Sequence, residues 1–311
     1  MEAKNKVASG AVKKHTPATE GNTAATVEPE ERKVAKPAFR IQSAKARKRY
    51  MNGMFYGDYG TGKSTLAATA SEVPEMKHVL FVNAEAGDES IKHMDLDLID
   101  VSNFGQFARV HEFLRLHCKL RDQWLNDKDE EAKKKLLYYE MTLKGLEEGE
   151  VTEPTLYHTV IIDSLTEVQK YCMYQLLGIQ VGQYALDLAP ESPQWDEWGK
   201  SAEMMRLLVR TFRDLPIHVF MVCGRGQEQD HQKRFHYYPL LPGKLANEIQ
   251  GFFDVVGYLV AEPTEGGGMH RRLWLEPGQT FKAKNRFRDF KDRYIDDPTI
   301  ADLARLTLEN K

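Results

Sequence analysis

Eight residues, Gly57-Asp58-Tyr59-Gly60-Thr61-Gly62-Lys63-Ser64, follow the pattern G-x-x-x-x-G-K-[ST]. The pattern makes sense only where a strand ends and a helix begins. The glycines let backbone N–H groups curl around phosphate, Lys63 reaches for the outer phosphates, and the Ser64 hydroxyl meets Mg²⁺. The flanks agree: Tyr50–Tyr56 reads as a strand, and Ser64–Ala70 reads as the first turns of a helix whose N-terminus attracts anions. Gly53 is the awkward residue, because glycine weakens a strand interior. The expected nucleotide-binding set is Gly57, Asp58, Tyr59, Gly60, Thr61, Gly62, Lys63, Ser64 and Thr65. The sequence shows no N-K-x-D guanine signature, and the residues alone do not choose between ATP and GTP.

Short apolar runs follow at intervals: His78–Asn83, Thr159–Asp163, Ile217–Cys223, Phe253–Val260, Arg272–Leu275 and Thr280–Lys284. Such runs between helical patterns indicate a mostly parallel sheet covered on both faces. The last two, separated by Pro277-Gly278, read as an antiparallel hairpin at the C-terminal end. Residues 104–150 read as two helices, the second strongly charged, and the 104–156 stretch looks like an insertion protruding between core strands. Pro298 at a first helical position and i, i+3/i+4 apolar spacing predict a C-terminal helix within 297–311.

Composition separates the ends of the chain. Residues 1–50 hold twelve Lys/Arg against five Asp/Glu, a balance of +7, so the total of 43 minus 46 leaves −10 for the rest. Residues 1–46 are polar, basic and poor in large apolar groups, which predicts a disordered leader with the core beginning at 47. This leader either reaches toward phosphate backbones or merely aids solubility. No run of 18 apolar residues exists, so no membrane span is expected. Cys118, Cys172 and Cys223 are widely spaced in apolar stretches, which suits reduced thiols in a cytoplasmic setting.

Hydrolysis needs carboxylates beside the loop. Asp163 closes an apolar strand and is the expected Mg²⁺ partner of Ser64. The position after it, a frequent place for a catalytic Glu, is Ser164. Glu85, just past the strand ending in Asn83, is therefore the expected base, with Asp88 and Glu89 as competitors.

The segments FVNAEAGDES and TVIIDS resemble the catalytic-Glu and Mg²⁺ strands of the RecA recombinases. Together with GDYGTGKSTLA, QWDEWG and PGKLANEI…FFDVVGYL, they most closely resemble the phage AAA-type P-loop ATPases. That family includes RecA-core single-strand annealing proteins, and the likeness spans roughly residues 50–290. It implies a RecA-like α/β fold and the cofactors ATP and Mg²⁺. Lys284 and Arg286 would act catalytically in trans, in a homo-oligomeric ring or filament. It also implies single-stranded DNA, and a phage single-strand-binding protein, as partners. Two DNA loops would fall near 178–199 and 225–243, with Arg225, Lys233, Arg234, Phe235 and Tyr237 as the contacts. Alternatively, the second loop is a hairpin whose aromatics pack on the core. Arg225 would also sit near the γ-phosphate sensor position, unless the register slips to Gly224. Trp195 and Trp198, in an acidic first loop, read as packing residues. The resulting expectation is a DNA-stimulated ATPase of phage-type recombination or annealing. The competitors are an adaptor or helicase-loader-like switch and a P-loop nucleotide kinase.

Overall fold

The computed structural model describes residues 50–147, 149–179, 192–287 and 292–308, together with Ser43. The leader and its basic cluster, Arg40, Lys45, Arg47, Lys48 and Arg49, lie outside the described residues. So do residues 180–191 of the first expected DNA loop. Residues from Lys48 onward form one unit.

The strands are β1 (Asn52–Gly57), β2 (Val79–Asn83), β3 (Asp97–Asp100), β4 (Thr159–Asp163), β5 (His218–Gln229), β6 (Phe235–Pro239), β7 (Val255–Pro263), β8 (Met269–Trp274), β9 (Lys284–Asn285) and β10 (Tyr294–Asp296). The helices are α1 (Lys63–Ala68), α2 (Phe104–Asp127), α3 (Glu130–Lys144), α4 (Leu165–Leu176), α5 (Trp195–Arg213), α6 (Leu245–Glu248) and α7 (Ile300–Leu308). The sheet order is β10-β8-β7-β1-β5-β4-β2-β3, with β6 on β5 and β9 on β7. From β7 to β3 every neighbour is parallel. The fold is thus mixed α/β with a mostly parallel central sheet flanked by helices and a C-terminal antiparallel hairpin.

Alternation along the strands builds both cores. In β1, Met54 and Tyr56 join one core with α2, α4 and α5, while Phe55 joins the other with α1 and α7. A strand buried on both faces needs an unbroken apolar run, which is how β1, β2, β4 and β5 read. Gly53 proves to be a packing requirement. A Cβ there would stand 3.0 Å from the ring of Phe220, its register partner on β5, and 3.2 Å from Phe55.

Three expectations need correction. The hairpin is β7 with β8, turning at 264–268, and not 272–275 with 280–284. Residues 284–285 instead return to the start of β7 as β9, and Tyr294–Asp296 takes the free edge of β8. The edge strands β3 and β10 were not anticipated, because three- and four-residue segments studded with aspartates carry no apolar run. Finally, α2 is no protrusion. Phe107, Val110, Leu114 and Cys118 recur at helical spacing and lie in the larger core. Buried Arg121 ties α2 to the strand entries, donating to the carbonyls of Tyr157 (3.0 Å) and Pro216 (3.2 Å). Only α3 packs outside, on α2, through Leu120, Ala132 and Leu136.

Leu114 is fully buried, whereas Leu143 on α3 is 63% exposed. Leu114→Ala should therefore cost about 2–5 kcal/mol in urea denaturation, and Leu143→Ala under about 0.5. Equal, small costs would return α2 to the status of an external hairpin.

Candidate nucleotide site

The parallel register brings three strand ends to one edge. Gly57 ends β1 beside Gly224 of β5, and Asn83 of β2 pairs with Asp163 of β4. Ligands in open α/β sheets bind at such carboxyl ends, where the strand order changes direction.

The loop after β1 takes the shape its sequence demands. Gly62 adopts φ 90°, a left-handed conformation that side chains rarely adopt, and its carbonyl accepts the first α1 bond from Leu66 N–H at 2.8 Å. Thr61 Oγ1 donates to the Asp58 carbonyl at 2.9 Å, and Lys63 Nζ donates to the same oxygen at 2.6 Å. Lys63 is thus folded back along the loop. Desolvation pulls its pKa down, opposed by the charges of Asp163 and Glu85. Asp58, Tyr59 and Gly60 are exposed at the lip, while Ser64 and Thr65 are half-buried at the start of α1.

Asp163 is 4% exposed. Burial raises its pKa to about 6, helped by the charge of Glu85 and opposed by the Ser64 hydroxyl and Lys63. Its Oδ1 is buried without a hydrogen-bond partner. An unsatisfied carboxylate oxygen beside a serine hydroxyl is the oxygen donor set that suits a hard cation such as Mg²⁺. Among the described residues no cluster of three or more His, Cys, Asp or Glu could hold a metal by itself.

Glu85 stands on the adjoining tip, exposed. The Ser164 hydroxyl donates to its Oε1, and Ala84 N–H donates to the Asp163 carbonyl at 2.6 Å. Tyr171 Oη donates to the Ala84 carbonyl at 3.0 Å, which steadies that turn from α4. Of the two competitors, Glu89 pairs with Lys92. The charges of Asp163 and Glu85, with that of Asp58, act on Lys63. The structure therefore assembles Lys63, Ser64, Asp163 and Glu85 in one place.

The second expected DNA loop is the β5–β6 hairpin, paired from Arg225↔Pro239 to Gln229↔Phe235. At its root Arg225 pairs with Asp58 at 2.6 Å, so it touches the phosphate loop. Its guanidinium lies 4.5 Å over the Tyr237 ring. Tyr237 stacks on Tyr258 and packs against the core, as the hairpin alternative requires. Arg234 is tied to Asp230. Lys233, with φ 62°, and Phe235, 46% exposed, occupy the outward end.

Other residues lie elsewhere. Lys284 Nζ donates to the carbonyls of Gln250 (3.0 Å) and Phe253 (2.8 Å). Arg286 pairs with Asp254 at 3.1 Å. Lys284 stands opposite Val256 near the start of β7, whereas the phosphate loop lies beyond Leu259, so the chain does not bring it to its own loop. Trp195 and Trp198 are not packing residues: they are 93% and 38% exposed at the start of α5, where the helix's apolar face is carried by Met205, Leu208, Val209 and Phe212 instead. Sequence reasoning missed Thr166, whose Oγ1 accepts from Gly224 N–H at 2.9 Å. It also missed Arg271, whose Nε donates to the Thr61 carbonyl at 3.2 Å. No local signal marks a contact spanning 210 residues.

The model of the AAA domain family matches residues 49–287. No curated protein matches the chain. Among solved structures, it is similar to flagellar accessory protein FlaH from Methanocaldococcus jannaschii, with 14% identity and TM-score 0.35, covering 80% of this chain and 87% of that one. It is also similar to the RadB recombinase, with 17% identity and TM-score 0.38, covering 79% and 86%.

A carboxylate held at a raised pKa penalises folding above that pKa, and the penalty vanishes below the unfolded value. Asp163→Asn should therefore stabilise the nucleotide-free protein above pH 6, by at most roughly 3 kcal/mol. That gain should fade as the pH falls from about 6 towards 4. Chemical denaturation at pH 8 and pH 4.5 measures it; a loss of stability at pH 8 contradicts the burial of charge.

Proposed function

The chain belongs to the AAA-domain family, and on that footing we propose that it hydrolyses ATP and acts on single-stranded DNA in phage-type recombination or annealing. The observation that carries it is the placement of Glu85 and Asp163 on adjoining strand tips beside Lys63 and Ser64.

Each residue then has a task. The N–H groups of residues 60–65 cradle phosphate at the start of α1. Lys63 leaves the Asp58 carbonyl to meet the outer phosphates. Ser64 and Asp163 would hold Mg²⁺, which when bound neutralises charge on the phosphate oxygens. Glu85, oriented by the Ser164 hydroxyl, accepts a proton from the attacking water. Lys284 and Arg286 would complete a neighbour's site in a ring or filament. In this chain they are bound to the carbonyls of Gln250, Gly251 and Phe253 and to Asp254, so assembly would exchange those contacts.

DNA contact through the β5–β6 hairpin is supported by its root: the Arg225–Asp58 pair joins the hairpin to the phosphate loop, giving nucleotide state a route to the outward Lys233 and Phe235. A cation beside an exposed ring suits phosphate and base stacking. One observation favours a partner-binding switch instead: Trp195 is 93% exposed, and tryptophan is enriched at protein interfaces. A nucleotide kinase fits less well, because Arg225 and Arg234 are already paired with Asp58 and Asp230 and form no open arginine lid.

Lys63→Ala should abolish nucleotide binding; retained binding removes the site. Glu85→Gln should keep ATP binding and lower turnover by about 10²–10⁴-fold, while normal turnover moves the base elsewhere. Steady-state ATPase should rise when single-stranded DNA is added. No rise favours the switch.

A further inference from the structure

Arg271 enters the site from a direction the motifs do not announce. Antiparallel pairing of β8 with β7 sets the start of β8 beside the end of β7, since Glu262 pairs with His270 and Ala261 with Arg271. This is the edge of the sheet that carries the phosphate loop. There Arg271 Nε donates to the Thr61 carbonyl at 3.2 Å. A Cβ built on Gly62 would come within 2.8 Å of that nitrogen, so the guanidinium lies directly against the glycine that precedes Lys63.

The residue is held in place from behind. Its N–H donates to Asp297 Oδ1 at 3.1 Å, and its carbonyl accepts from Asp297 N–H at 2.7 Å. The same C-terminal segment then docks just past the end of the loop's own helix, where Ile300 N–H donates to Thr69 Oγ1 at 2.8 Å. Neighbouring arginines are neutralised: Arg225 pairs with Asp58 and Arg272 with Asp296. Arg271 has no carboxylate partner among the described residues, and its two terminal nitrogens meet no acceptor there. Its stem is satisfied and its fork is uncommitted. A guanidinium fork fixed in this way is suited to the paired oxygens of a phosphate.

We propose that Arg271 is a cis-acting phosphate ligand: its terminal nitrogens bind phosphate oxygens of the nucleoside di- or triphosphate seated in the same chain's loop. This rests on the nucleotide-binding reading above and adds a cation from the same subunit, separate from Lys284 and Arg286. It also gives the segment from Tyr294 to Ile300 a role in positioning that cation. The guanidinium contacts phosphate, not the base or ribose.

The test uses the full chain and fluorescent N-methylanthraniloyl-ADP, displaced in turn by inorganic pyrophosphate and by adenosine. Arg271→Ala should weaken binding of the probe and of pyrophosphate by roughly ten- to a hundredfold, the range of a charge-assisted hydrogen bond. Adenosine affinity should not move. Arg271→Lys should recover part of the loss, and millimolar guanidinium should restore binding to Arg271→Ala. Arg271→Gln keeps a donor for the Thr61 carbonyl while removing the charge, so it guards against a folding defect and must show the same pyrophosphate loss. Wild-type pyrophosphate affinity in Arg271→Gln overturns the proposal, as does an equal loss of adenosine. A native chain that binds neither probe nor pyrophosphate removes the nucleotide reading, and this inference with it.

Discussion

Lys63 and Asp163 lie close enough that each shifts the proton affinity of the other; Asp163 is buried and Lys63 half-buried. Neither arrangement is favourable in isolation. Burial pulls the lysine toward neutrality and pushes the carboxylate the same way, and their mutual attraction offsets only part of that cost. An edge that keeps an unsatisfied carboxylate oxygen and a half-buried ammonium together would suit an anion and a cation arriving as one ligand. The rest of the structure can be understood as the frame that holds this unfavourable pair in register.

The frame is the parallel sheet. β5 lies between β1 and β4, so the phosphate loop and Asp163 are separated by one strand. β2 follows β4, which puts Glu85 on the next tip. The two cores on opposite faces press these strands into place, and α2 contributes to the larger one. Mutating that helix should therefore disturb the site from a distance. The C-terminal segment is equally part of the frame. β10, the Asp297 clasp and α7 run from the sheet edge to α1, and between them they aim Arg271 at the loop.

The loop is also the junction of two elements that sequence distance keeps apart. Arg225 binds Asp58 from the hairpin root, while Arg271 binds the Thr61 carbonyl from β8. A phosphate in the cradle would compete with Asp58 for Arg225 and would meet the open fork of Arg271. Nucleotide occupancy would thereby be linked to the β5–β6 hairpin and to the C-terminal segment, through contacts only a few residues apart in the loop.

Much of this was legible before any coordinates. A loop of glycines ending in Lys63-Ser64 has few workable backbones, and apolar runs closing on Asn83 and Asp163 have few ways to be buried. Strand–loop–helix and the parallel sheet follow from local chemistry, and the same chemistry picked out Lys63, Ser64, Asp163 and Glu85 as candidates. The short, aspartate-studded edges β3 and β10 left no such mark, and the charged helices of 104–150 concealed how well α2 fits the core. Partners separated by long stretches of chain were decided by tertiary structure alone. Pairing geometry made β8 the mate of β7, turned Trp195 outward, tied Lys284 to carbonyls far from its own loop, and carried Arg271 across 210 residues to Thr61. The physical reason is that a motif encodes the conformation of its own backbone. Which distant cation comes to rest on that backbone depends on how the whole sheet closes its edge.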